Sequence, residues 1–186
     1  NYKSHKAVQF MCESLQNLKK DIEKHGGVLY TPKAKPTEII EQLSDTITKV
    51  RFNKDYTPFS KKRDKQIAKK CEELNIDLET EHDAYLTIPG SVKTNSGTTY
   101  KVFTPFMKKA KKTQNIPKPK TNIPSFKQTT KVSSKDIGTV PMKTTEHIKC
   151  RGGRSQAKKT LENVERYAEY EEEREYPFLD KTTQLS

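Results

Sequence analysis

The residues whose types and spacing could do chemistry gather near the C-terminal end of the chain. Tyr170 and Arg174 sit four apart in a charged run, and Thr182, Thr183 and Ser186 follow within five residues. Small hydroxyls beside backbone N–H groups suit the holding of a phosphate or pyrophosphate. The run Asp180-Lys181-Thr182-Thr183 is equally an ordinary helix-capping turn. Elsewhere, Cys12, Cys71 and Cys150 are far apart without CxxC spacing, and His5, His25, His82 and His147 are scattered. That pattern gives no metal site, no disulfide framework and no catalytic constellation, and it predicts reduced thiols in an intracellular protein.

Composition limits the elements that can position these residues. The chain has 186 residues, of which 31% are hydrophobic and 32% charged, and it has no Trp. A mean hydropathy of −0.98 predicts a modest core with long polar segments. Lys and Arg number 36 against 24 Asp and Glu, a net charge of +12. This suits a polyanionic partner, or equally a lysine-rich solvated surface. No apolar run approaches membrane-spanning length and no signal-peptide core is visible, so the protein is expected to be soluble and not secreted, with no membrane partner.

The spacing of Val8, Met11, Leu15, Leu18 and Ile22 predicts a helix over 4–25, ended by His25-Gly26-Gly27. Val28-Leu29-Tyr30 reads as a buried strand and Pro36–Leu43 as a short helix. Residues 47–52 alternate like a strand, and 59–74 form a helix with Phe59, Ile67, Cys71 and Leu74 on one side. Ile76–Leu78 reads as a further strand. Strand–helix alternation with short links predicts an α/β fold with a parallel sheet and flanking helices. Such a domain ordinarily opens on a strand, so its first strand is expected to be missing here.

From 84 to 135 there are eleven lysines and no acidic residue. A hairpin-like loop around Asn95-Ser96-Gly97, a short helix near 104–112 and a lysine- and proline-rich linker over 113–150 are expected. Periodicity returns after Gly152-Gly153 in Ala157, Leu161, Val164 and Ala168, with Ser155 as a candidate cap.

Four segments, in order, resemble the DNA photolyase/cryptochrome family, and most of all its class I cyclobutane pyrimidine dimer photolyases. Asn53-Lys54-Asp55-Tyr56-Thr57-Pro58 through Asp64 resembles the family's antenna-face turn, and it is also an ordinary Thr-Pro helix start with a solvated Arg63–Asp64 pair. Thr99-Tyr100-Lys101-Val102-Phe103-Thr104-Pro105-Phe106 resembles the segment closing the α/β domain, where Tyr100, Val102, Phe103 and Phe106 would dock a loop. Gly152-Gly153-Arg154-Ser155 resembles the start of the helical domain, with Arg154 in place of an acidic residue. Tyr170 through Ser186 resembles the start of the flavin site, with Gln184 where many relatives have Arg.

The resemblance implies a Rossmann-like α/β antenna-type domain over 1–112, incomplete at its N-terminus. A linker over 113–150 and the first helix of an all-α FAD-binding domain over 151–186 would follow. It implies FAD contacts from Tyr170, Thr182, Thr183, Leu185 and Ser186, and a DNA-backbone contact from Arg174. It further implies light-driven repair of UV-damaged DNA, with a possible antenna chromophore of open identity, since Phe59 and Ser60 occupy the antenna turn. Because the family's flavin cavity is a helical bundle beyond this motif, the chain is expected to be a truncated portion, inactive without a separately encoded C-terminal half. A cryptochrome-like photoreceptor portion, or a basic nucleic-acid-binding module using residues 101–135, are the alternatives.

Overall fold

Ser4 opens the first helix, its hydroxyl accepting the Ala7 N–H at 3.4 Å. Helix α1 (His5–Glu23) then closes on Gly26 at φ +76, with Gly26 N–H donating to Glu23 C=O and Gly27 N–H to Ile22 C=O. That paired bonding satisfies two terminal carbonyls and requires a residue at ease with positive φ. The computed structural model describes residues 4–83, 85–113, 125–134, 137, 150–179 and 181. Two compact units divide the chain: Asn1–Lys33 with Ile123–Ser186, and Ala34–Asn122.

In the second unit, helix α2 (Pro36–Gln42) leads to strand β1 (Lys49–Asn53), helix α3 (Pro58–Glu73) and strand β2 (Asp77–Glu81). The strands pair in parallel, Val50 opposite Leu78 and Phe52 opposite Thr80. Helix α3 ends on Asn75 at φ +52, and Ile76 N–H returns to Cys71 C=O at 2.9 Å. This cap turns the chain sharply into β2 and puts Ile76 into a core with Ile40, Ile67 and Cys71. Val50, Phe52 and Leu74 pack around that core. Helix α4 (Phe103–Thr113) follows a loop closed by Thr94, whose N–H donates to Thr98 C=O at 2.9 Å. The α/β fold with a parallel sheet and flanking helices is as the sequence predicts.

In the first unit, α1 packs against helix α5 (Arg154–Glu162). A 3-10 turn at Val164–Tyr167, the short helix α6 (Tyr170–Glu173) and a 3-10 turn at Pro177–Leu179 follow. Residues 125–134, inside the expected linker, run against 27–31: the Tyr30 hydroxyl donates to Thr129 C=O and accepts the Thr129 N–H, each at 2.8 Å. Most of the remaining expected linker lies outside the described residues.

Several details differ from the sequence expectations. Val28–Tyr30 is not a strand, because no described strand pairs with it and Tyr30 is held through its hydroxyl instead. On α1, Met11 and Leu18 are exposed while Cys12 is buried. The stripe leans toward Glu13, Gln16 and Asn17, where residues 150–155 land. On α3, Phe59 is 77% exposed and Ser60 only 3%. Ser60 is seven residues before Ile67, closer to two whole helical turns than Phe59 is. Val102 and Phe103 are exposed, leaving Tyr100 and Phe106 edge to face at 6.2 Å to hold that segment. Ser155 does not cap α5; Gly153 occupies the cap position without a side-chain bond.

Candidate functional site

The carboxyl ends of β1 and β2 lie side by side, the position where open parallel sheets present ligand sites. After β1 the chain is fixed by Asp55. Its Oδ1 accepts the N–H groups of Tyr56 at 2.6 Å and Thr57 at 3.2 Å, and its Oδ2 accepts the Ser60 hydroxyl at 2.7 Å. Thr57 Oγ1 accepts the Ser60 N–H at 3.2 Å, and Pro58 stands at the first helical position, so α3 has a complete start. The hydrogen bond from Ser60, then that from the Thr57 N–H, hold the Asp55 carboxyl below its ordinary range. Arg63 and Asp64 pair at 2.6 Å, partly covered instead of fully solvated.

After β2, His82 stacks on Tyr56 at 5.9 Å between ring centroids and hydrogen-bonds its hydroxyl. Tyr85 leans on the same ring at 5.5 Å. Beside this aromatic group opens a cleft of about 430 Å³. Phe52, Tyr56, Ala68 and Leu78 line it with apolar surface, and Lys54, Lys61 and Lys65 line it together with Asp55 and Asp64. Aromatic surface beside three cations and two carboxylates, the carboxylates already bonded to Ser60 and Arg63, fits a planar ligand.

Of the residues expected to hold a cofactor, Thr182, Thr183, Leu185 and Ser186 lie outside the described residues. Tyr170 begins α6 and is 49% exposed. Arg174 N–H donates to Tyr170 C=O at 3.0 Å, so both side chains share one helical face. The Arg174 guanidinium contacts the Glu175 carboxylate at 3.2 Å, and Lys181 meets Glu173 at 3.4 Å.

The sequence model of the DNA photolyase family matches residues 2–125, well over half of the chain. The chain belongs to the DNA photolyase family. Two deoxyribodipyrimidine photo-lyases are similar to it: that of Buchnera aphidicola, 32% identical over 64% of this chain, and that of Halobacterium salinarum, 23% identical over 96%. An uncharacterized 31.6 kDa protein of a Synechococcus strain is 27% identical over 96% of this chain. The chain spans 66% of the Synechococcus protein, 25% of the Buchnera photo-lyase and 39% of the Halobacterium one. Among solved structures, an archaeal photolyase from Sulfolobus tokodaii with two FAD molecules superposes with a TM-score of 0.68 and 29% identity, over 86% of this chain and 36% of that one. A class III photolyase from Agrobacterium tumefaciens gives 0.63 and 25% identity over 75% of this chain and 30% of its own.

Within this photolyase-family chain, the expected antenna-face turn is the best-built part. Its Asp55 hub carries a local signal, since Asp two residues before Thr-Pro favours an Asx turn and cap. His82 and Tyr85 carry none, because only strand pairing brings them to Tyr56. Glu13 and Asn17, which grip the start of α5, carry no local signal for that role, because their partners lie 139 and 138 residues away. Among the described residues no group of His, Cys, Asp and Glu could hold a metal, and no helix is long and apolar enough to cross a membrane. The three cysteines are free, and burial pushes the Cys71 thiol above its ordinary range.

Proposed function

We propose that this chain supplies the α/β portion and the start of the flavin-binding portion of a photolyase that repairs cyclobutane pyrimidine dimers in DNA with light. The single observation that carries this reading is the family match over residues 2–125, and the structural likeness over 86% of the chain supports it. In this reading 1–112 is the α/β domain, 113–150 the lysine- and proline-rich linker and 151–186 the start of the helical domain. Tyr170, Thr182, Thr183, Leu185 and Ser186 hold FAD, and Arg174 contacts the DNA backbone. FAD, when bound and reduced, supplies the electron for splitting a flipped-out dimer. The cleft beside Tyr56 is the place for an antenna chromophore, its lysines taking the pigment's negative charge. With UV-damaged DNA as partner, the protein works inside the cell, where DNA is.

Among the described residues, Tyr170 and Arg174 stand on an open turn that offers a flavin one wall. We therefore expect repair only when a further helical segment, encoded with this chain or separately, completes the cavity. The test is FAD absorbance and dimer repair under blue light, for the chain alone and mixed with the C-terminal helical portion of a related photolyase. Flavin retention and repair in the mixture support the reading. Stoichiometric FAD and repair by the chain alone overturn the need for a second portion, and no flavin in either sample overturns the assignment of 170–186.

A second reading, a basic nucleic-acid-binding module, is favoured by α4, where Lys108, Lys111 and Lys112 are all exposed. It predicts DNA binding with a steep salt dependence that flattens when residues 108–135 are deleted. Salt dependence indifferent to that deletion removes this reading.

A further inference from the structure

Two glycines precede α5, and each is required for a different reason. A Cβ on Gly152 would lie 2.1 Å from the Phe10 carbonyl oxygen and 2.8 Å from Ser14 Oγ, so the backbone of 152 rests directly on α1. Gly153 has φ +109, a conformation that other residues rarely adopt. The contact is polar as well as close. Glu13 Oε2 accepts the Gly152 N–H at 2.8 Å, and Glu13 Oε1 meets the Arg151 guanidinium at 2.6 Å and the Gln9 amide at 2.8 Å. Four residues on, Asn17 Oδ1 accepts the Ser155 N–H at 3.2 Å while its Nδ2 donates to Ser155 Oγ at 2.9 Å. The Glu13 side chain is 11% exposed, and every one of these bonds lies within one compact unit.

The start of α5 therefore has no cap of its own. Gly153 offers no side chain, and the N–H groups of residues 152 and 155 are satisfied by α1. Burial would raise the Glu13 carboxyl, but the bonds from Arg151, Gln9 and the Gly152 N–H, with the Arg151 charge, bring it below its ordinary range. Among the described residues, Arg151 is the charged group that meets it across the contact. From this start the chain runs through α5 and the 3-10 turn, which pack on each other, to α6.

We infer that Glu13 and Asn17 form a seat on α1 that fixes the direction of α5, and that Glu13 is thereby a positioning residue for the segment carrying Tyr170 and Arg174. The functional half of this inference rests on the flavin reading above; the seat itself does not.

The test uses the full chain and three variants: Glu13→Gln, Arg151→Gln and the two combined. Glu13→Gln keeps the shape and one acceptor but loses the charge pair. Amide hydrogen exchange is read at Gly152 and Ser155, and 15N order parameters are read across 154–174. Each single variant is expected to speed exchange at these two amides about tenfold. The double variant is expected to be no faster than either single one, because both remove the same pair. Order parameters should fall through Arg174 while amides of β1 and β2 keep their protection. Unchanged exchange in either single variant overturns the seat, as does a multiplicative double variant or uniform acceleration over the whole chain. Faster exchange at 152 and 155 with unchanged order at 170–174 overturns the positioning role. FAD titration of the chain completed by the helical portion decides the flavin reading separately, and its failure leaves the exchange results standing.

Discussion

Helices α3 and α5 start in opposite ways. Every bond at the start of α3 comes from within five residues: Asp55, Thr57 and Ser60 satisfy one another and the exposed N–H groups. The bonds at the start of α5 come from 138 and 139 residues away, on α1. The first is a property of a short peptide; the second exists only once the unit has folded. A self-contained start lets α3 and the turn before it form a rigid rim at the sheet end. A borrowed start makes the placement of α5 depend on α1.

The contrast is broken most directly at Gly152. Replacing it by Ala puts a methyl where the Phe10 carbonyl oxygen already stands, and backbone cannot retreat like a side chain. Gly152→Ala is expected to destabilise the α1–α5 contact by about 3 kcal/mol, read as a lower urea midpoint and lost protection over 151–156. Glu13→Gln should follow at about 1.4 kcal/mol, the equivalent of the tenfold faster exchange, since a largely covered charge pair is lost. Thr57→Ala removes a local cap and should lower the midpoint by about 1 kcal/mol, with the loss confined to the amides at the start of α3. A Thr57→Ala variant that loosened more than Gly152→Ala would reverse the ranking of local and borrowed starts.

The same contrast decides what could be read from sequence. The Thr57-Pro58 start, the strands at 49–53 and 77–81 and the helices all follow from local signals, and they appear within a few residues of expectation. Where the outcome rests on distant partners, local pattern misleads. Val28–Tyr30 has strand composition but is held by Thr129. At α3 the helical register misleads instead: Phe59 has core composition, yet Ser60, seven residues before Ile67, takes the interior position, where Asp55 accepts its hydroxyl. Ser155 has cap chemistry, but Asn17 takes both its N–H and its hydroxyl. The Tyr56–His82–Tyr85 group is invisible in sequence, since strand register alone assembles it. Of the residues expected to hold the flavin, only Tyr170 is described, and the whole of that expectation stands on the resemblance.

Acidification separates the two starts by proton linkage. Glu13 and Asp55 both have folded-state pKa values below their ordinary 4.5 and 3.8. A depressed carboxyl contributes stability that is complete above the unfolded value and is lost as pH falls through the folded one. Protection at Gly152 and Ser155 should thus begin to fall below about pH 4.5, and that at the start of α3 only below about pH 3.8. Exchange measured across this window checks the order, and protection at Gly152 and Ser155 that did not fall as Glu13 is protonated would mean that the Glu13 charge does not hold the contact.

The smallest effect is expected where the geometry looks strongest. Arg51 and Glu79 meet at 2.5 Å across β1 and β2, with Lys49 adding a contact at 3.4 Å. The hydrogen bond from Arg51 lowers the Glu79 carboxyl, and the same bond raises the Arg51 guanidinium. Yet the Arg51 side chain is 54% exposed and Glu79 36%, so water and salt screen the attraction and side-chain ordering offsets the remainder. Arg51→Gln should leave the urea midpoint unchanged at physiological salt, whereas Glu13→Gln shifts it. Both variants remove a pair formed by an arginine and a glutamate at nearly equal distance, so burial is the main difference between them. An Arg51→Gln shift as large as that of Glu13→Gln would show that pairing alone, and not the cover provided by residues 150–155, makes the α1 seat hold.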